Sequence, residues 1–171
     1  MASVKKMVLL IAFCIINISC KNNNQEQKLA RLKTSSVAIY NFADKENFNA
    51  FNRLELDKTH PNLLNPQVSK SNYNDIRTSW TKLHQDIGNY ISKNDFDWNT
   101  NDSIINIVHK FYFKPNGSIS HYFYNIRNSN ISDETKSEYG KLLQQFSNTN
   151  KISITRGSTF AQCGKTKYLN E

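Results

Sequence analysis

Asp95-Phe-Asp97-Trp-Asn99-Thr-Asn101 places four oxygen-bearing side chains at alternate positions. A hard cation such as calcium wants several oxygens converging from a tight turn, and that spacing offers them. Thr100 occupies the position where such a loop needs glycine, and Asn106 the position of its bidentate glutamate. The segment is therefore read as an Asn/Asp-rich turn between a helix and a strand. His109 and His121 are the second candidate set. They lie in two alternating runs joined by Lys114-Pro115-Asn116-Gly117, and on one face of a hairpin they would stand diagonally, within about 7–8 Å at Cα. Two imidazoles can hold a transition metal only with further ligands. Phe111, Phe113, Ile119 and Phe123 around them point instead to a packed face. Cys163 beside one of the four histidines would resemble a thiol hydrolase without the flanking sequence of one. His60 and His84 show no spacing that recruits them. Gly164-Lys165-Thr166 ends like a phosphate loop, but its first glycine would fall at Thr159, with no room for the helix that must follow.

Tyr-rich surface is the third candidate. Lys110, Tyr112, Tyr122 and Tyr124 are expected to line one hairpin face beside Val108 and Ser120. Open to solvent, that face could stack sugars or receive a protein partner. Covered by residues 36–58 it would be a second core layer, the reading preferred because small sheets need both faces protected.

The elements that would position these residues follow from periodicity. Tyr73, Ile76, Trp80, Leu83, Ile87 and Tyr90 recur at intervals of three and four, which predicts a helix over 72–92 with one buried stripe. Residues 104–126 predict a hairpin whose turn places Gly117 at positive φ. A bulge there pairs Lys114 with Ser118, Phe113 with Ile119 and His109 with Phe123. Ser132 caps a second helix over 133–147, in which Asp133 and Glu134 complement the dipole and Tyr139, Leu142, Leu143 and Phe146 turn inward. Ile152 and Ile154 mark a strand near 151–155, and Thr159–Tyr168 reads either as a further strand or as a wrap. Upstream, Val37, Ile39, Tyr40 and Phe42 suit a short strand, and Asp44 a cap for a helix carrying Phe48, Phe51 and Leu54. The expectation is an α+β domain over residues 35–171, with helices on a small antiparallel sheet.

Composition narrows the function. Of 171 residues, 38% are apolar and 12% aromatic, enough for one packed domain; the 24 asparagines add turns, not chemistry. Lys5 and Lys6 precede an apolar run from Met7 to Ile16, too short to span a bilayer and suited to a secretory leader. The run leads through Asn17, Ile18 and Ser19 to Cys20. In these residues the chain resembles bacterial lipoproteins of the Bacteroidetes type. The resemblance implies cleavage after residue 19 and acylation of Cys20; the polar residues 21–34 then read, with Cys20, as a tether over 20–34 whose reach is roughly 20 Å. Lys21, with no acidic run after it, suits the outer membrane facing the periplasm. Loss of Lys5 and Lys6 with the leader reduces the net charge from +8 to +6. In that compartment the surplus is read first as a solvated, solubilising surface, and as a binding feature it favours anionic lipid, glycan or an acidic partner, not nucleic acid. Cys14 leaves with the leader, so Cys163 has no internal partner and is expected to be buried.

Phe111-Tyr112-Phe113-Lys114-Pro115-Asn116-Gly117-Ser118-Ile119, followed by the helix begun at Ser132-Asp133-Glu134, resembles the C-terminal domain of TonB-type proteins over residues 104–155. The resemblance implies partner binding by strand pairing. With three prolines and no N-terminal transmembrane helix expected, the motor-coupled spacer of that family does not carry over. The functional expectation is a membrane-anchored envelope lipoprotein that binds a protein or glycan without catalysis or cofactor. The alternatives are a small exported hydrolase using His109, His121 or Cys163, and a toxin-neutralising lipoprotein.

Overall fold

The computed structural model describes residues 36–170; the leader, Cys20 and the tether expected over 20–34 lie outside the described residues. The chain is an α+β fold with elements in the order β1 (Ala38–Asn41), α1 (Lys45–Arg53), a 3-10 turn (Leu56–Lys58), α2 (Tyr73–Lys93), β2 (Ile104–Phe113), β3 (Ile119–Ile126), α3 (Asp133–Thr149) and β4 (Phe160–Leu169). The strands form one sheet in the order β1-β3-β2-β4. β3 and β4 both run antiparallel to β2, whereas β1 is parallel to β3, so the sheet is mixed and not wholly antiparallel.

Helices cover the sheet on both faces. On one, α2 buries Ile76, Trp80, Leu83, Ile87 and Ile91, and α3 buries Tyr139, Leu143 and Phe146; Leu142 and Tyr90 are half-buried and Tyr73 is exposed. Ser132 Oγ accepts the Thr135 N–H at 3.1 Å and caps α3. On the other face, the Asp44 carboxylate caps α1 through the Asn47 N–H at 2.9 Å. That helix then lays Phe51 flat on Phe123, ring centroids 4.4 Å apart, and Phe48 edge-on to Phe42 at 4.9 Å.

Two sequence expectations need correction. No strand forms near 151–155, and of the two readings of Thr159–Tyr168 the strand is the one found, at Phe160–Leu169. Ile152 sends one side chain into the core, and residues 151–156 strap the hairpin turn, with the Ile152 N–H on the Gly117 carbonyl at 3.1 Å and the Arg156 N–H on the Pro115 carbonyl at 2.8 Å. The strap explains Gly117 twice over: its φ is +82°, and a Cβ there would lie 2.5 Å from the Ile152 carbonyl oxygen. The second correction concerns register. The turn itself is as expected, with the Lys114 N–H on the Ser118 carbonyl at 2.8 Å and Phe113 opposite Ile119. A further bulge at Ser120 then makes His121, and not Ser120, the partner of Tyr112, so His109 faces Tyr124 instead of Phe123. One inserted residue moves every later side chain of β3 to the opposite face.

Candidate functional site

The bulge redistributes the candidate residues. Lys110 and Tyr112 lie on the face that α1 covers, together with His121 and Phe123. Tyr122 and Tyr124 point the other way, into the core under α3. The expected four-residue Tyr face is thus divided, and residues 36–58 cover only its Lys110–Tyr112 half. There the Lys110 ammonium meets Asp57 Oδ2 at 2.6 Å, and the Tyr112 hydroxyl donates to Asp57 Oδ1 at 2.8 Å. Burial alone would raise the Asp57 carboxyl, but these two hydrogen bonds together with the neighbouring charges of Lys110 and His60 outweigh it and hold it below the usual carboxylate value. Cys163 is a free thiol opposite Lys110 across the β2–β4 ladder, and it is exposed, contrary to the expected burial.

His109 and His121 also part company. His121 is half-buried against Tyr40 and Tyr112, while His109 is wholly buried on the face that α2 and α3 cover. Neither is brought to Cys163: His109 pairs with Gly164 and points to the opposite face, and β2 lies between His121 on β3 and Cys163 on β4. His109 meets His84 of α2 instead, ring centroids 4.6 Å apart. His109 Nδ1 lies 2.6 Å from the Tyr122 hydroxyl, which lies 3.0 Å from the Tyr139 hydroxyl. His84 Nδ1 lies 3.2 Å from both the Tyr168 hydroxyl and Thr166 Oγ1. The Nε2 atoms of both rings are buried without a hydrogen-bond partner. Burial lowers His84 to about 4; burial, and then the neighbouring His84, lowers His109 well below the ordinary value, so both rings are neutral at pH 7. His84 was missed from the sequence although a signal was present: it follows Trp80 by four and adjoins Leu83 on the buried stripe.

The loop from Asp95 to Asn101 folds as a turn. Asp95 and Asn99 adopt positive φ, and the Asp97 carboxylate accepts the Asn99 N–H at 2.8 Å. Asp95, Asp97, Asn99 and Asn101 are all exposed. Among the described residues, no three His, Cys, Asp or Glu side chains gather at metal-binding distance.

The outer edge of β4 is open along part of its length. In an antiparallel ladder the N–H and C=O of one residue point to the same side, and the side alternates along the strand. The Asn170 N–H reaches the Ser103 carbonyl at 3.1 Å, so even-numbered residues of β4 serve β2. Ala161 points outward: its N–H reaches the Pro61 carbonyl and its carbonyl takes the Leu63 N–H, each at 3.0 Å. By the same alternation Cys163, Lys165, Lys167 and Leu169 point outward. The Cys163 carbonyl takes the Gln162 side-chain amide at 2.7 Å. The outward groups of Lys165, Lys167 and Leu169 have no partner among the described residues, a bare edge of roughly 14 Å.

A groove of about 680 Å³ runs along this edge, with α2 as its other wall. Trp80, His84, Phe96, Trp98 and Tyr168 line its depth, and Thr81, Gln85 and Asn89 its rim. Gly164 lets the floor form, because a Cβ there would stand 3.0 Å from the Trp80 indole nitrogen. No acidic residue lines the groove, and Lys165 and Lys167 stand exposed beside it. Among the described residues, no helix is long and apolar enough to cross a membrane. Compared with protein families, curated proteins and solved structures, the chain matches none.

Proposed function

We propose that this protein is a lipid-anchored binding module of a bacterial envelope. It is held through Cys20 and the tether over 20–34 at the periplasmic face of the outer membrane, and it grips a protein partner by strand addition to β4. The observation that carries the reading is the bare edge at Lys165, Lys167 and Leu169. An edge of unpaired N–H and C=O groups is a template for another strand, and lysines placed on it oppose pairing with a second copy of itself. Two β4 edges set side by side would juxtapose lysines, whereas an acidic segment would relieve that repulsion. The Cys20 leader supports the anchor and the net charge of +6 after its removal supports an acidic partner.

In-cell crosslinking of the full-length protein tests this, with two variants beside it. Lys167→Pro removes an N–H that β2 does not use, so the ladder stays intact while an added strand loses a hydrogen bond and meets the ring. The expected result is a reproducible envelope protein captured by the wild type and lost with Lys167→Pro. Cys20→Ala should move the protein from the membrane fraction to the soluble periplasm. Equal capture by the wild type and a folded Lys167→Pro protein would remove the strand-addition reading. A wild-type protein that is already soluble would remove the anchor.

A further inference from the structure

We infer, resting on strand addition at β4, that the groove between β4 and α2 selects a segment in which acidic and apolar residues alternate. A strand laid along Lys165–Leu169 would present its side chains alternately to two environments. Those opposite Lys165 and Lys167 share the face of Val108 and Asn106, where two exposed ammonium groups lie without an ion-pair partner among the described residues. Those opposite Thr166 and Tyr168 enter the groove, against Trp80, Phe96 and Tyr168. The first set calls for carboxylates, the second for aliphatic or aromatic side chains, and a period of two satisfies both.

Gly88 is the independent observation. It stands within the 21-residue α2, where glycine is the poorest helix former after proline. Packing does not require it: a Cβ would sit 3.6 Å from the Tyr168 ring, an ordinary contact. The missing methyl instead widens the groove between α2 and β4, so a residue that weakens the helix keeps the channel open. The ligand is an extended protein segment and not a saccharide, because the open wall opposite α2 offers a row of main-chain donors and acceptors at strand spacing, with charge on one side only.

The test titrates the full-length chain in detergent with three fluorescent nine-residue peptides and reads anisotropy. One alternates Glu and Leu, one has the same composition in two blocks, and one alternates Lys and Leu. Two cross-strand charge pairs should favour the acidic alternating peptide by about tenfold over either of the others. Gly88→Ala should weaken that binding several-fold while leaving the melting temperature equal or higher. The double reversal Lys165→Glu with Lys167→Glu should transfer the preference to the basic alternating peptide. Equal binding of alternating and block peptides, or Gly88→Ala binding like wild type, overturns the groove's selectivity; if Lys167→Pro still abolishes that binding, strand addition itself survives. Binding of an added neutral oligosaccharide in place of the peptides overturns the inference, as does the absence of peptide binding at millimolar concentration.

Discussion

Lowering the pH from 7 to 5 should remove about 2 kcal/mol of stability through His84 alone. The ordinary histidine value is 6.5, and burial lowers this ring to about 4 in the folded protein. Between those values the unfolded chain takes up a proton that the folded chain refuses. The contribution is complete above about 6.5, shrinks as the pH falls below it, and levels off below about 4. The full difference is about 3.4 kcal/mol at 1.36 kcal/mol per unit, of which about 2 is lost by pH 5. The surroundings offer the cation no relief. His84 faces His109 and Phe111 of β2, Trp80 of its own helix, and Thr166 and Tyr168 of β4, with no carboxylate among these contacts. His109 adds loss of the same sign, because it too is lowered and lies 4.6 Å from His84. Half-buried His121, lowered by burial, adds in the same direction. The lowered carboxyls of Asp44, Asp57 and Asp102 titrate below the interval and do not enter it. The assay is urea unfolding at pH 7 and pH 5, followed by the fluorescence of Trp80 and Trp98, both buried. A loss of 2 kcal/mol lowers the midpoint by about 1 M at ordinary slopes. His84→Gln keeps a polar side chain but cannot titrate, so its loss between the two pH values should be smaller than that of wild type by about 2 kcal/mol, whatever its stability at pH 7. Parallel losses in the two proteins would refute the reasoning.

Two further outcomes follow from the core and the turn. Tyr122→Phe removes the hydroxyl between His109 Nδ1 and the Tyr139 hydroxyl and leaves both without that contact; thermal unfolding should show a loss of about 1–3 kcal/mol, and an unchanged melting temperature would mean the network contributes nothing. Gly117→Ala forces a side chain into positive φ and against the Ile152 carbonyl, costing about 1–3 kcal/mol from backbone strain. Hydrogen exchange should then accelerate at the Ile152 amide, and unchanged protection there would show that the strap does not depend on Gly117.

Features written in local chemistry were legible in the sequence. The Asp44 and Ser132 caps, the α2 stripe from Ile76 to Ile87 and the Lys114–Ser118 turn each depend on residues within one turn of one another, and each stands where its residue types required; Tyr73, at the start of the stripe, is exposed. The bulge at Ser120 was not legible, because His121, Tyr122, Phe123 and Tyr124 put rings on both faces; the structure buries Ile119, then Tyr122, Tyr124 and Ile126, so the inward parity changes from odd to even between 119 and 122. A reading that follows alternation from the turn outward through His121 and Phe123 carries the first parity past the point where it changes. That single step assembled the false Tyr face and set His109 beside His121.

β4 was legible only as one of two alternatives, a strand or a wrap, and for a different reason. Its apolar residues lie at the start, in Phe160 and Ala161, and the rest runs Gly164-Lys165-Thr166-Lys167 before Tyr168. Such a stretch has little hydrophobic alternation because one side of it is exposed and its inward positions hold the glycine beneath Trp80 and the Thr166 and Tyr168 hydroxyls that meet His84. The same low hydrophobicity that weakens the strand pattern disfavours edge-to-edge pairing with other copies. A longer apolar run would have announced a strand from the sequence and made this edge a site of self-association. On the proposed strand-addition reading, the polar composition of β4 suits a docking edge: backbone groups would supply the attraction, and Lys165 and Lys167 would select the strand.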